Sequence, residues 1–146
     1  MAPVRVYVDM VGDLFHLGHV NLLRAARSLG TELVVGVNSD EDVLSYKRMP
    51  VLTLEERAAV IGACRYVDEV IAPCPLQVDE AFLREHRIGL VVHGDDFNEE
   101  MTDYFYRVPR EMGIFRTVPY TRGISTSEIL RRLLVRFEGE LRDRPD

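Results

Sequence analysis

The sequence lacks a long block of lysine and arginine, is poor in cysteine and contains no apolar run long enough to span a bilayer. Without a basic block, neither nucleic acid nor an anionic membrane is expected as a main partner. Cys64 and Cys74 are too few for a disulfide framework, so a reducing, cytoplasmic setting is expected; they also lack zinc-ligand spacing. The first apolar run, Val4 to Val8, contains Arg5 and is too short for a signal peptide or membrane helix.

What the sequence does contain is the composition of a globular protein with an acidic balance. The chain has 146 residues, of which 47% are hydrophobic, and its net charge is −6. This length suits one domain with its own core, and the hydrophobic content excludes disorder. Any anionic ligand, such as a nucleotide, must therefore be bound by a local site.

Apolar runs and helical patterns alternate along the chain. The predicted strands span residues 4–8, 32–38, 67–72, 88–92 and 114–118. Two predicted helices start near residues 20 and 53. Three further helices are predicted over residues 79–86, 104–112 and 126–137. Five alternations predict an α/β single domain, a Rossmann-like, doubly wound five-stranded parallel sheet. Right-handed crossovers then bring the strand-to-helix turns to one edge, where the strand order reverses.

The first strand-to-helix turn, from Asp13 to His19, carries two of the four histidines. At a spacing of three residues, His16 and His19 can face the same side of the first helical turn. The helix start supplies free N–H groups, and Gly18 lets a ligand approach the backbone. This arrangement suits a phosphate under attack. The alternative is a pair of structural histidines with local hydrogen bonds.

Polar residues also follow the second and fourth strands. Asp40 lies in an acidic turn that either caps a short helix or faces a ligand. Gly94 and Asp95 follow the fourth strand, either as a nucleotide or metal contact or as a plain turn. The adjacent cations Lys47 and Arg48 lie on a loop that is either an ordinary surface loop or one that closes over a ligand.

Capping boxes are predicted at two helix starts. Thr53 pairs with Glu56, and Ser125 pairs with Glu128. The three hydroxyl residues from Ser125 onward follow a glycine, which predicts either a phosphate cradle or simply a well-capped helix.

Together these motifs resemble the cytidylyltransferase family, whose members act on glycerol 3-phosphate, phosphoethanolamine or phosphocholine. The resemblance covers residues 4–134. It rests on seven segments: His16-Leu17-Gly18-His19, Gly36 to Glu41, Lys47, Glu55-Glu56-Arg57, Tyr66 to Val70, His93 to Asp96 and Gly123-Ile124-Ser125-Thr126.

The resemblance implies a nucleotidyltransferase domain over 1–137, followed by a charged tail over 138–146. Its activity would be transfer of CMP from CTP to a small phosphomonoester or phosphonate acceptor, by direct in-line attack with release of pyrophosphate. Mg²⁺ would accompany CTP, and the chain would form a homodimer. His16 and His19 would stabilise the α-phosphate as catalytic residues, and Lys47 would neutralise phosphate charge.

The resemblance also implies contacts for the remaining residues. The expected nucleotide contacts are Asp13, Gly18, Asp95, Arg122, Gly123, Ile124, Ser125 and Thr126. The expected acceptor or phosphate contacts are Arg57, Asp40 and Tyr120. Asp13 would also lie near the metal.

Two features depart from the family pattern. The family usually has Gly-x-Phe/Tyr-Asp before the histidines, whereas this chain has its glycine two places later, at Gly12. The family usually opens its last signature with Arg-Thr-x-Gly, whereas this chain has Tyr120. Arg122 or Arg116 would then supply the missing phosphate contact, and Tyr120 would line the acceptor pocket.

Two other functions fit the same motifs. An adenylyltransferase of the same superfamily shares the histidine signature and the Ser-Thr helix start. A nucleotide-binding or flavodoxin-like module without catalytic activity is the alternative from another class.

Overall fold

The computed structural model describes residues 2–140. In that part of the chain five strands alternate with six helices: β1 (Arg5–Met10), α1 (Leu17–Arg27), β2 (Glu32–Asn38), α2 (Asp40–Leu44), α3 (Leu54–Gly62), β3 (Glu69–Cys74), α4 (Glu80–Glu85), β4 (Leu90–Gly94), α5 (Glu99–Glu111), β5 (Phe115–Val118) and α6 (Thr126–Phe137).

All strand pairs are parallel, and the strand order is β3-β2-β1-β4-β5. The predicted doubly wound parallel sheet is therefore confirmed. The order places β1 in the centre with its first crossover on one side and β4 on the other, which is the Rossmann arrangement rather than the flavodoxin one. A ligand crevice is expected where the connections after β1 and β4 diverge.

The predicted bounds of β2 and α6 match the structure, whereas β3 and β4 begin two residues later than predicted. Helix α1 begins three residues earlier than predicted, because the His16 side chain caps it. Helix α5 begins five residues earlier, because Asn98 caps a first turn of two glutamates that carry no apolar pattern. Of the predicted tail, residues 138–140 form a turn, and residues 141–146 lie outside the described part.

The core lies on both faces of the sheet. Val6 and Val8 of β1 pack in a cluster with α1 and α3, whereas Tyr7 between them packs in a second cluster with α4 and α5. Each of these three side chains is fully buried. Because burial of one such side chain stabilises the fold by roughly 1.5–3 kcal/mol, β1 is the anchor of the sheet.

Helix α6 is held at its start and is exposed from Arg131 onward. The Thr126 hydroxyl donates a hydrogen bond to the backbone oxygen of Asp13 (3.0 Å). Further along, Leu134 and Val135 are 63% and 72% exposed. Helix α6 therefore presents an apolar surface that the rest of residues 2–140 does not cover. Across that same range, each helix is too short or too polar to cross a membrane.

Candidate active site

A cavity of about 510 Å³ opens at the carboxyl ends of β1 and β4. Eight of the predicted site residues line it: Asp13, His16, Gly18, His19, Lys47, Tyr120, Ser125 and Thr126. Six others do not line it: Asp40, Arg57, Asp95, Arg122, Gly123 and Ile124. The first group comes from three segments that the parallel topology brings to one sheet edge.

The two predicted histidines themselves form the capping box of α1. The Nδ1 atom of His16 accepts a hydrogen bond from the Gly18 N–H (3.0 Å), and the Nδ1 atom of His19 accepts one from the His16 N–H (3.1 Å). The ring centroids are 3.9 Å apart. A β-carbon at position 18 would lie 2.8 Å from His16 Cε1, so this arrangement requires glycine there.

These contacts fix both imidazoles as neutral donors. Burial, followed by the charges of His16 and Lys47, lowers the pKa of His19 to about 3. Burial also lowers the pKa of His16. Because each Nδ1 accepts a backbone N–H, the single proton of each neutral ring lies on Nε2. The cavity thus receives two Nε2–H donors whose rings carry no net charge.

The displaced glycine has a structural reason. Gly12 adopts a φ of +69°, and Leu14 follows with a φ of +48°, so the turn needs a left-handed residue at position 12. A β-carbon there would also lie 2.5 Å from the Cδ1 atom of Ile61. The path of this turn over α3 therefore requires glycine at position 12.

The loop that carries Lys47 is attached to the histidine turn through Asp13. The Asp13 carboxylate accepts hydrogen bonds from the N–H groups of Val51 (2.8 Å) and Leu52 (3.0 Å). Lys47 lies over the Tyr46 ring, 5.4 Å from its centroid. Desolvation lowers the pKa of Lys47, and the charge of Asp96 opposes that shift. Asp13 thus holds a basic loop against the cavity.

The start of α6 forms the opposite wall. The Ser125 hydroxyl accepts a hydrogen bond from the Glu128 N–H (3.1 Å), as the capping box predicts. The reciprocal half of the box does not form, because the Glu128 carboxylate accepts hydrogen bonds from Arg131 and Arg132 instead. The first N–H groups of any helix lack intrahelical partners, so the first turn of α6 can offer hydrogen-bond donors to an anion.

Sequence reasoning missed a buried polar group that lines the cavity, the Asp9 carboxylate. Asp9 is only 6% exposed and accepts a hydrogen bond from the Tyr106 hydroxyl. Burial raises the pKa of Asp9, and the Tyr106 hydrogen bond and nearby His93 oppose that shift. A carboxylate that follows three buried strand residues, Val6 to Val8, was the signal that could have identified it.

Tyr106 reaches Asp9 because α5 is kinked. Tyr106 has non-helical φ and ψ of −128° and 24°, and Pro109 follows three residues later. Proline lacks an N–H group and clashes with the carbonyl four residues before it, here that of Phe105. That carbonyl instead accepts a hydrogen bond from the Val78 N–H (3.3 Å).

Arg57 lies beneath the site rather than in it. Its side chain is fully buried. The guanidinium donates to the backbone oxygens of Val11 (2.7 Å), Asn38 (3.0 Å) and Leu52 (3.2 Å), and to the Asp40 carboxylate (2.6 Å). Arg57 therefore ties together the ends of β1 and β2 and the Lys47 loop, and Asp40 completes its coordination.

The remaining predicted residues lie at the rim. The Asp95 carboxylate accepts a hydrogen bond from the Tyr120 N–H (2.9 Å), and its neighbour Asp96 lines the cavity instead. Arg122 and Gly123 are exposed, and Ile124 is half-buried. Gly123 has a φ of +88°, which the turn into α6 requires.

The side chains do not fit a resident magnesium site. Among residues 2–140, no group of three or more histidine, cysteine, aspartate or glutamate side chains is arranged to hold a metal. Each oxygen of the Asp13 carboxylate already accepts a backbone N–H. Mg²⁺ commonly binds through substrate phosphates and water with only one or two carboxylates.

The fold and the cavity define a Rossmann-like α/β protein with imidazole and backbone N–H donors at its topological switch point. Residues 12–132 match the family described as cytidylyltransferase-like. The chain belongs to the cytidylyltransferase-like family.

Similar proteins agree with this assignment. The chain is 40% identical over 139 residues to ethanolamine-phosphate cytidylyltransferase of Arabidopsis thaliana, which covers 91% of this chain and 33% of that protein. It is 42% identical over 135 residues to human choline-phosphate cytidylyltransferase A, which covers 90% of this chain and 37% of that protein. The chain thus spans about a third of the length of these relatives.

Two solved structures share the fold. The lipopolysaccharide core biosynthesis protein of Thermoplasma volcanium superposes with a TM-score of 0.64 at 27% identity, over 82% of this chain and 98% of that one. Pantothenate synthetase of Thermus thermophilus superposes with a TM-score of 0.53 at 18% identity, over 90% of this chain and 67% of that one. The second similarity concerns the fold alone.

Proposed function

We propose that this protein is a cytidylyltransferase that transfers CMP from CTP to a small acceptor carrying a phosphate or phosphonate. The observation that carries the proposal is the imidazole pair, two neutral rings 3.9 Å apart that present Nε2–H donors to a cavity with a lysine. The names of the relatives, ethanolamine-phosphate and choline-phosphate cytidylyltransferase, support CTP as the donor.

The proposed reaction is a single in-line displacement. An anionic oxygen of the acceptor attacks the α-phosphorus of CTP and forms a new P–O bond. The bond from that phosphorus to the bridging oxygen breaks, and its electron pair leaves with pyrophosphate. The nucleophile has no proton to lose, so His16 and His19 act as donors to the α-phosphate oxygens rather than as bases.

The other predicted residues have matching roles along the triphosphate. Lys47 meets phosphate charge from the loop side. The Ser125 hydroxyl and the backbone N–H groups of the first turn of α6, including that of Thr126, supply neutral donors from the opposite side. Gly18 allows the α-phosphate to approach the start of α1. The protein thus orients the reacting groups and compensates charge, which is most of what phosphoryl transfer requires.

Lys47→Met is expected to weaken the ternary complex while leaving the fold intact, because methionine keeps the apolar stem over Tyr46. One charge-assisted hydrogen bond corresponds to about tenfold or more in binding, so the KM values should rise by at least that factor. Steady-state kinetics with CTP and acceptor varied separately measures the effect. Unchanged kinetics would make Lys47 an ordinary surface residue.

The deep end of the cavity suits an ammonium head group on the acceptor. The buried Asp9 carboxylate lies there, and a cation beside it would offset the cost of burying its charge. Aromatic faces, which attract ammonium groups, line the same region: Tyr46, Phe97, Phe105 and Tyr106. We therefore propose the phosphate ester of a small amino alcohol as the acceptor.

Asp9→Asn should raise the KM for ethanolamine phosphate about tenfold or more, because it removes a charge-assisted contact. The KM for CTP should stay unchanged. Asparagine keeps an oxygen for the Tyr106 hydroxyl, so the variant is well matched. The preference for ethanolamine phosphate over glycerol 3-phosphate should shrink in parallel. An undiminished preference would place the head group elsewhere.

Mg²⁺ is proposed to arrive as the Mg·CTP complex. Phosphate oxygens and water would then supply its ligands, in keeping with the engaged Asp13 carboxylate, and Asp13 would act mainly through the loop that it holds.

The experiment that tests the function is a pyrophosphate-release assay. The protein is incubated with Mg²⁺, each nucleoside triphosphate in turn and each of several phosphomonoesters. CTP-dependent release that needs an acceptor is expected. Release with ATP alone would favour the adenylyltransferase alternative, and binding without release would favour a non-catalytic module.

We also propose a homodimer in a reducing, cytoplasmic setting. The exposed apolar side chains of α6 support the dimer, since a second copy would remove them from water, and light scattering after gel filtration measures it. The two free cysteines, Cys64 and Cys74, support the compartment.

A further inference from the structure

The family usually has a phosphate-binding arginine at position 120, and this chain has a tyrosine there. Tyr120 occupies that position and lines the cavity. The two nearest arginines in the sequence, Arg116 and Arg122, are exposed, and neither lines the cavity. The segment that normally supplies a cation to the triphosphate therefore supplies none here.

The cavity is poor in positive charge for a triphosphate site. Within residues 2–140, Lys47 and Arg48 are the only lysine or arginine side chains that line it, against the three carboxylates of Asp9, Asp13 and Asp96. A triphosphate adds several further negative charges. Lys47 and the Mg²⁺ of the Mg·CTP complex would still leave negative charge on the outer phosphates, so a second protein cation is expected near them.

Arg48 has the geometry for this task. Its Nη2 atom donates a hydrogen bond to the Ser127 hydroxyl (2.8 Å), which brings the guanidinium from the Lys47 loop to the first turn of α6. The Arg48 side chain is exposed, so a ligand can still reach the guanidinium. The loop is held in place by the two hydrogen bonds to Asp13.

We infer that Arg48 replaces the arginine that the family places at position 120. Its guanidinium binds the outer phosphates of CTP, and then pyrophosphate, between the Lys47 loop and the start of α6. A planar guanidinium suits bidentate contact with phosphate oxygens. This inference rests on the proposed cytidylyltransferase function, and it moves the compensating cation from Arg122 to a different loop.

The first test compares Arg48→Ala with Arg107→Ala, an exposed arginine of α5 that lies outside the cavity. Arg48→Ala should raise the KM for CTP and the inhibition constant of pyrophosphate about tenfold or more. The KM for the acceptor should stay within about twofold, because the contact lies at the far end of the triphosphate. Arg107→Ala should match the wild type.

The second test is a rescue. Tyr120→Arg returns a guanidinium to the family position, so in the Arg48→Ala background it should restore most of the lost affinity for CTP and pyrophosphate. The single variant Arg48→Lys should keep only part of the wild-type affinity for CTP and pyrophosphate, because an ammonium cannot make the bidentate contact. Normal constants for CTP and pyrophosphate in Arg48→Ala, or raised ones in Arg122→Ala instead, would overturn the inference.

Failure of the inference is separable from failure of the proposed function. Calorimetric titration of the wild type and Arg48→Ala with CTP measures affinity without turnover. A wild type that binds CTP but releases no pyrophosphate would overturn the function, and the affinity of Arg48→Ala would still decide the inference. Equal CTP affinities of the two proteins, with an active wild type, would overturn the inference alone.

Discussion

Replacing either histidine by asparagine is expected to lower kcat by about 10²–10³, the usual cost of losing one preorganised donor in a transition state. Asparagine keeps an oxygen near the position of Nδ1, and at His16 it is also a favoured helix cap. It removes the Nε2–H donor and the ring while keeping the capping contact. CTP affinity, measured by calorimetry, should change by a few fold at most.

Glutamine is the matched control, because its amide nitrogen reaches the region of Nε2. His16→Gln and His19→Gln should therefore retain more activity than the asparagine variants. Equal losses of CTP affinity and kcat in the asparagine variants would contradict a transition-state role, since they would show that the donors act equally on bound CTP.

The pH dependence gives an independent check on the charge state. With a pKa of about 3, His19 stays neutral between pH 5 and 8. The acceptor phosphate ionises near pH 6 and should produce the same step in wild type and His19→Asn. Profiles of kcat with different shapes in the two proteins would show that His19 titrates during turnover.

The parts of the site that the sequence predicts are those made by local contacts. His16 and His19 are three residues apart, and their hydrogen bonds stay within one helical turn. Ser125 caps its helix through a residue three positions later. Such spacings can be seen in the sequence because the helix geometry that satisfies them is known in advance.

The parts that the sequence does not predict depend on long-range contacts. Tyr106 and Asp9 are 97 residues apart, and Arg48 and Ser127 are 79 apart. Their meeting depends on the kink of α5 and on the path of the Lys47 loop, neither of which has a periodic signature. A titratable residue within an apolar strand, as at Asp9, is the best available signal for such contacts.

Arg57→Met is expected to lower the free energy of unfolding by about 3 kcal/mol or more, because each buried acceptor left without a donor costs about 1–3 kcal/mol. Three backbone oxygens lose their donor in this variant: those of Val11, Asn38 and Leu52. For a chain of this size the loss corresponds to a fall in Tm of about 10 °C. Thermal unfolding followed by circular dichroism, without ligand, measures it.

The comparison with Arg107→Met separates this effect from the general loss of an arginine. Arg107 pairs with Asp103 on the surface of α5, and exposed pairs contribute little, so its Tm should not change. If Arg57→Met instead kept the wild-type Tm and raised the KM for CTP or acceptor, Arg57 would contact substrate, as its place in the family motif implies.

Asp40→Asn distinguishes the two kinds of contact that Arg57 makes. Asp40 is 43% exposed in its pair with Arg57, so water screens the charge, and asparagine still offers an oxygen to the guanidinium. The three backbone contacts remain. Asp40→Asn should therefore change Tm far less than Arg57→Met. Similar falls in Tm would mean that the ion pair, rather than the three carbonyls, fixes Arg57, and the ends of β1 and β2 would then depend on an acidic side chain at the edge of the site.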